Sequence, residues 1–120
     1  MPAYAFPKTA RLCTPTDYQR VFQRAQFKVS SKAVLFLAVP NELSRPRLGL
    51  VIGKKNIRLA VQRNRIKRLV RESFRLRQHN IPTLDIVVLA RRGLDAKENS
   101  MIHAELNSLW DNLLKRANTA

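Results

Sequence analysis

The chain has 120 residues, of which 23 are Lys or Arg and 8 are Asp or Glu, so its formal net charge is +15. This length suits one domain spanning residues 1–120, and the 45% hydrophobic content excludes global disorder. The lone Cys13 excludes an intramolecular disulfide, and the longest apolar run, Ala33 to Pro40, is far shorter than the roughly 20 residues of a membrane-spanning helix. We therefore expect a cytoplasmic protein, with no membrane association, whose excess positive charge meets a polyanion.

The first part of the chain predicts one helix and two strands. Thr14 followed by Pro15 is typical of a helix start, and this helix is expected to run to about Ala25. Two β-rich runs come next, Lys32 to Val39 and Leu48 to Ile52, with a loop between them. We expect these two strands to pair antiparallel with each other.

A second helix is predicted from about Leu59 to Gln78, where the hydrophobic period becomes helical. Its apolar side consists of Ile66, Leu69, Val70 and Ser73, flanked by Phe74 and Leu76. Its opposite side consists of Asn64, Lys67, Arg68, Arg71 and Arg75. The helix is thus expected to pack on one side and to present a basic surface on the other.

The last part of the chain predicts a strand and a helix. Leu84 to Ala90 is β-rich, and Asp95 with Glu98 resembles the capping box of a final helix. The apolar stripe of that helix is Ile102, Leu106, Leu109, Trp110 and Leu113. With an optional short strand around Phe27 to Val29, the order α-β-β-(β)-α-β-α predicts an α+β fold, a two-layer α/β sandwich.

The segment from Lys54 to Arg77 contains ten Lys and Arg residues and a single carboxylate, Glu72. A solvated helix face ordinarily interleaves Glu with Lys, so one acid among ten cations favours contact with a nucleic acid. Arginine predominates over lysine in the helix, which favours bidentate hydrogen bonds to phosphate. Lys54 and Lys55 continue this basic patch into the loop before the helix.

Three aromatic residues, Tyr18, Phe22 and Phe36, have two interpretations. They could pack in the core, or they could form a platform on which unpaired bases stack. The residues alone favour the core, although spacing cannot decide between the two. Trp110 lies within an apolar helical stripe and is predicted to be a core residue.

The residues offer little support for catalysis by the protein itself. The eight carboxylates are scattered, and no close pair or metal-ligand cluster indicates a two-metal nuclease. His79 and His103 are isolated, which is more typical of surface residues than of general bases. The residues alone therefore predict a basic RNA-binding protein, with a non-catalytic structural protein of ribosomal type as the alternative and a protein-only nuclease disfavoured.

Several strings together resemble the protein subunit of bacterial ribonuclease P. The signature consists of Lys54-Lys55-Asn56, Arg63-Asn64-Arg65-Ile66-Lys67-Arg68-Leu69 and Arg71-Glu72-Ser73-Phe74-Arg75. The likeness extends to Ala5-Phe6-Pro7, Tyr18-Gln19-Arg20-Val21-Phe22, Leu48-Gly49-Leu50 and the run from Asp85 to Arg91. This resemblance implies an enzyme in which a large RNA, which itself binds the magnesium, removes the 5′ leader from precursor tRNA, assisted by one monomeric protein per RNA.

The resemblance also implies a role for individual residues, none of them catalytic or metal-binding. The residues expected to dock on the catalytic RNA are Arg63, Asn64, Arg65, Lys67, Arg68, Arg71 and Arg75. The residues expected to hold the single-stranded leader are Tyr18, Phe22, Phe36, Lys54 and Lys55. Tyr18 stands where many relatives have Phe, and its hydroxyl is expected to have little functional consequence.

For the fold, the resemblance implies a left-handed strand–helix–strand crossover of the kind found in folds like domain 2 of ribosomal protein S5. General physics favours the right-handed form by a wide margin.

Overall fold

The computed structural model describes residues 8–119, and the Ala5-Phe6-Pro7 string lies outside them. The regular elements, in chain order, are α1 (Pro15–Arg24), β1 (Phe27–Ser30), β2 (Val34–Pro40), β3 (Arg47–Val51), α2 (Ala60–Arg77), β4 (Leu84–Ala90) and α3 (Asn99–Thr119). The predicted α+β class and element order are confirmed, and the optional strand is present as β1. No helix among residues 8–119 is both long and apolar enough to cross a membrane.

The four strands form one sheet in the order β1-β2-β4-β3. β2 pairs antiparallel with β4, and β3 pairs parallel with β4. The predicted pairing of β2 with β3 is therefore wrong, because β4 lies between them. All residues of β4 except Leu89 are buried, as expected for an interior strand with elements packed on both faces of the sheet. The hand of the β3-α2-β4 crossover and the likeness to ribosomal protein S5 domain 2 stay predictions.

The two faces of the sheet carry separate apolar clusters. Phe36 and Val88 belong to the larger one, which also contains the buried residues of α2 and α3. Leu37 and Val87 point the opposite way and pack with Val21 of α1. Successive side chains of a strand alternate between faces, so α1 lies across the sheet from the other two helices. The predicted two-layer sandwich is formed by the sheet with α2 and α3, and α1 adds a partial third layer.

The larger cluster holds the apolar sides of α2 and α3 together. Trp110 is fully buried, as predicted, and its indole N–H donates to Ser73 Oγ at 3.0 Å. The predicted stripes are buried, namely Ile66, Leu69, Val70, Ser73 and Phe74 on α2 and Ile102, Leu106, Leu109, Trp110 and Leu113 on α3. Leu76, which was expected to flank the apolar side, is 52% exposed.

For α1 and α3, the first and last helices, the sequence predicted the helix start with different success. Thr14 Oγ1 accepts a hydrogen bond from the backbone N–H of Asp17 at 3.1 Å, so the predicted cap of α1 is confirmed. The predicted capping box of α3 is wrong. Asp95 lies in a separate 3₁₀ turn, Leu94–Ala96, and the first helical bonds of α3 run to the carbonyl of Glu98. Because α3 begins at Asn99, Asp95 lies too far before its first turn to cap it.

Candidate nucleic-acid interface

The exposed side of α2 forms a groove of about 390 Å³ that we call the basic face. It is lined by Asn64, Lys67, Arg68, Arg71, Glu72 and Arg75. Glu72, the only carboxylate in this lining, forms an ion pair with Arg75 on the same helix. Arg68 and Arg71 are exposed. The structure therefore brings together five of the seven residues predicted to dock on the catalytic RNA, on a surface suited to phosphate.

The two arginines of the Arg63-Asn64-Arg65 signature are directed away from the basic face. Arg63 Nη1 donates to the carbonyls of Ile57 and Arg58, at 3.0 and 2.8 Å, in the loop before α2. Arg65 reaches towards the start of α3, where its Nη1 donates to Asn99 Oδ1 at 2.6 Å and its Nη2 to the carbonyl of Asp95 at 3.0 Å. These contacts hold the start of α2 against the preceding loop and against the start of α3. The local pattern of α2 could not reveal the contacts of Arg65 with Asp95 and Asn99, because these two partners lie 30 and 34 residues further along the chain.

The aromatic residues of α1 lie beside a second, open groove, which we call the ring groove. It is lined by Cys13, Thr14, Pro15, Tyr18, Gln19 and Phe22. Phe22 is 44% exposed, and Tyr18 is half-buried. An aromatic ring that is open to solvent on a helix surface offers a face on which a base could stack.

Phe36 is not part of this groove, and its predicted contact with the leader is wrong. Its side chain is 0% exposed, and its ring centroid lies 4.6 Å from that of Trp110 in an edge-to-face arrangement. Phe36 points to the α2/α3 side of the sheet, whereas its neighbour Leu37 points to the α1 side. The alternation of side chains along β2 decides this, and the sequence did not reveal which face α1 would cover.

Tyr18 joins α1 to the outer strand of the sheet. The backbone N–H of Leu50 donates to the Tyr18 hydroxyl at 3.1 Å. The ring lies so close to β3 that a Cβ added at Gly49 would be 2.7 Å from its Cε1 atom. The hydroxyl therefore bonds the edge of the sheet, and Gly49 permits the close approach of the ring.

The basic face and the ring groove are connected. A smaller cavity of about 150 Å³ between them is lined by Arg11, Leu12, Tyr18, Leu48, Leu50, Lys67 and Arg71. Lys67 and Arg71 also line the basic face, and Tyr18 also lines the ring groove. One polyanion, or two adjacent ones, could therefore follow a continuous path across these surfaces.

A further group of cations lies where β3 and β4 end. Lys54 and Lys55 are exposed three and four residues after the end of β3, and Arg92 is exposed two residues after the end of β4. Asn56 Nδ2 donates to the carbonyl of Ala90 at 3.1 Å, which ties the two strand ends together. Sequence reasoning missed Arg92, because only the parallel pairing of β3 with β4 places their carboxyl ends at the same edge.

The carboxylates near these surfaces do not fit a magnesium site. Glu72 is paired with Arg75 and lies in a groove lined by further arginines. In the part of the chain that the structure describes, no three His, Cys, Asp or Glu side chains are grouped so as to hold a metal ion. Magnesium prefers several carboxylate, carbonyl or water oxygens at one point.

A mixed α+β fold with an arginine-lined helix face, joined to a groove with one exposed and one half-buried aromatic ring, is typical of the class of RNA-binding proteins. Comparison with known proteins makes the class specific. Residues 6–114 match the family model for ribonuclease P, and the chain belongs to the ribonuclease P protein family, which serves in tRNA processing.

Individual relatives agree with this assignment. The ribonuclease P protein component of Chromohalobacter salexigens is 56% identical over 110 residues, which cover 92% of this chain and 86% of that protein. The component of Pseudomonas aeruginosa is 52% identical over 110 residues, covering 92% and 82%.

Solved structures show the same fold. The ribonuclease P protein of Staphylococcus aureus superposes with a TM-score of 0.81 at 30% identity, covering 87% of this chain and 94% of that one. The protein from Thermotoga maritima gives a TM-score of 0.73 at 32% identity, covering 88% and 96%. The alternative of a ribosomal-type structural protein is not favoured.

Proposed function

We propose that this chain binds the catalytic RNA of ribonuclease P and the single-stranded 5′ leader of precursor tRNA at the same time, and that the RNA performs the hydrolysis. The observation that carries the proposal is the continuity of the basic face with the ring groove through Lys67, Arg71 and Tyr18. We expect a monomeric protein, one for each catalytic RNA, acting in the cytoplasm.

The catalytic RNA is bound by the basic face. Asn64, Lys67, Arg68, Arg71 and Arg75 supply the phosphate contacts there, because they line one groove on a rigid helix. Arg63 and Arg65 support this surface indirectly, since their hydrogen bonds to the preceding loop and to the start of α3 hold the start of α2 in place. Neutralising two polyanions with one protein also lowers the repulsion between catalytic RNA and substrate.

The leader is bound by the ring groove. Phe22 provides an exposed ring for stacking, and each stacked base contributes about 1–3 kcal/mol without requiring a particular sequence. Tyr18 forms the inner wall of the same groove. We expect Lys54 and Lys55, which follow β3, and Arg92, which follows β4, to meet leader phosphates, because all three are exposed cations.

This arrangement gives selectivity for substrate over product. A precursor tRNA has a leader to place in the ring groove, whereas a mature tRNA has none, so only the precursor gains the stacking energy. Magnesium, which the family's reaction requires, is bound by the RNA in this proposal, because the carboxylates near the interface do not fit it.

Two measurements test the proposal. Precursor tRNA is incubated with the purified protein, with and without its cognate large RNA, and cleavage is expected only when the RNA is present. Binding of precursor and mature tRNA to the reconstituted complex is then compared, and the precursor is expected to bind more tightly. Cleavage by the protein alone would indicate a protein-only nuclease, and equal binding of both tRNAs would indicate a structural RNA-binding role.

A further inference from the structure

Asp85 of β4 is a charged residue that is completely buried, with its side chain 0% exposed. Arg47 of β3 binds it in a bidentate manner, with Nε 2.8 Å from Oδ1 and Nη2 2.7 Å from Oδ2. Asn41, in the loop after β2, donates to Oδ1 at 2.9 Å. Arg20 of α1 donates to Oδ2 and completes the group, which we call the Asp85 cluster. One carboxylate thus joins α1, β3 and the loop after β2 to the central strand.

The cluster is linked to α1 at two points. Besides contacting Asp85, Arg20 donates through Nη1 to the carbonyl of Pro40 at 3.3 Å. Arg47 Nη2 lies 3.5 Å from Asp17 Oδ1, which is almost one helical turn before Arg20. The two linked positions on α1, Asp17 and Arg20, therefore flank Tyr18 in the sequence, and Arg20 lies two residues before Phe22.

Apolar packing alone gives α1 little support. Val21 is the only buried residue of this ten-residue helix. The helices on the other face of the sheet bury five residues each. A short amphipathic helix with one buried side chain depends on other contacts for its orientation. The Asp85 cluster and the Tyr18 hydroxyl supply those contacts.

The pKa of Asp85 agrees with a carboxylate that stays charged in the fold. Burial by itself would raise the pKa, but the hydrogen bonds from Arg47 and Asn41 and the positive charges of Arg47 and Arg20 together hold it below the ordinary value. A buried charge with partners on several elements restricts how those elements can move relative to one another, because separating them would leave it unpaired.

We propose that Asp85 is a positioning residue, which fixes α1 on the sheet through Arg20 and thereby sets the orientation of Tyr18 and Phe22 for capture of single-stranded RNA. The inference rests on the proposed leader binding and extends it to a residue that does not itself contact RNA. A cluster that served only the stability of the whole domain would affect all ligands alike. A cluster that positions α1 affects the leader selectively.

The test uses two variants of α1 in the reconstituted complex with the catalytic RNA. Arg20→Ala removes the link from α1 to Asp85, while Arg47 and Asn41 still satisfy the buried carboxylate. Arg24→Ala is the matched control, because it removes the same charge one turn further along the same helix, at an exposed position outside the cluster. The readout is the ratio of the dissociation constants of mature and precursor tRNA, together with hydrogen exchange of the α1 amides.

We expect Arg20→Ala to lower this ratio by roughly fivefold or more relative to Arg24→Ala, as loss of one stacked base would do. The α1 amides should exchange faster in Arg20→Ala, while those of α2 and α3 keep their protection. Equal ratios in the two variants, or an Arg20→Ala variant that weakens both tRNAs equally, would overturn the inference. Absence of any preference for precursor in the unmodified complex would instead contradict the proposed function itself.

Discussion

The hydroxyl of Tyr18 accepts a hydrogen bond from the backbone N–H of Leu50, 3.1 Å away, on the outer edge of β3. Among residues 8–119, β3 is the outermost strand of the sheet, and the backbone on its outer side forms a bridge from Arg11 to Leu48 but not to Leu50. A buried or half-buried N–H without a partner is costly, and here a side chain from α1 satisfies it. The same residue thus serves the sheet through its hydroxyl and lines the ring groove.

Tyr18→Phe separates these two roles. The substitution keeps the ring and removes the acceptor for Leu50, so we expect the free energy of unfolding to fall by about 1 kcal/mol, measured by denaturant titration. Precursor tRNA binding should change little. If Tyr18→Phe weakened binding of the precursor as much as Tyr18→Ala does, the hydroxyl would have to contact the RNA.

Gly49→Ala should destabilise the domain by about 1–3 kcal/mol, because the added methyl group would lie 2.7–2.8 Å from atoms of the Tyr18 ring. The effect is checked with a double-mutant cycle. In the background of Tyr18→Ala the cost of Gly49→Ala should shrink, although the side chain of Leu12, 2.9 Å from the added atom, leaves part of it. Full additivity of the two changes would show that the ring does not lie against Gly49.

Phe22 and Phe36 should respond oppositely to truncation. Phe22→Ala removes a 44% exposed ring, so we expect binding of precursor tRNA to weaken by about 1–3 kcal/mol while binding of mature tRNA and thermal stability change little. Phe36→Ala empties a core position against Trp110 and should lower the free energy of unfolding by about 3–5 kcal/mol. A stable Phe36→Ala variant with a specific loss of precursor binding would return Phe36 to the leader site.

Arg65 and Arg68 lie on the same helix, but we expect Arg65 to stabilise the fold and Arg68 to contact the catalytic RNA. Arg68→Ala should leave the melting temperature nearly unchanged and reduce the slope of log affinity for the catalytic RNA against log salt by about 0.7–0.9, as expected for one lost phosphate contact. Arg65→Ala should lower the melting temperature, because its hydrogen bonds to Asn99 and to the carbonyl of Asp95 join α2 to the start of α3. The prediction fails if the two variants exchange these effects.

Asp85 should make the domain sensitive to acid. Its pKa is lowered in the folded state, since the opposing effect of burial is outweighed by Arg47, Asn41 and Arg20, so the unfolded chain binds the proton more readily. The resulting stabilisation is fully present above the ordinary pKa of 3.8 and is lost as the pH falls through the lower, folded value. The free energy of unfolding should therefore decrease below about pH 4. Asp85→Asn should show a shallower decrease, and an unchanged pH profile in that variant would contradict the assignment.

Local sequence patterns correctly predicted much of the fold and part of the nucleic-acid interface. The predicted strand Leu84 to Ala90 agrees with the structure at both ends, and the predicted faces of α2 and α3 are those that are buried and exposed. The basic face followed from helical period alone, because its residues belong to one helix and share one side. The ten cations between Lys54 and Arg77 likewise required no partner from elsewhere in the chain to indicate a polyanion.

The other features of the fold and of the interface depend on contacts between segments that are far apart in the sequence. No local period encodes which strand pairs with β4 or which face of the sheet α1 covers. The burial of Phe36 depends on both. Arg65 and Asn99, or Tyr18 and Leu50, are brought together only when the sheet and helices assemble. The positions of the cations and of the helix faces follow from local periodicity, which acts over a few residues. Which aromatic rings stay open to solvent depends on long-range packing, because a ring is buried only when another element packs against it.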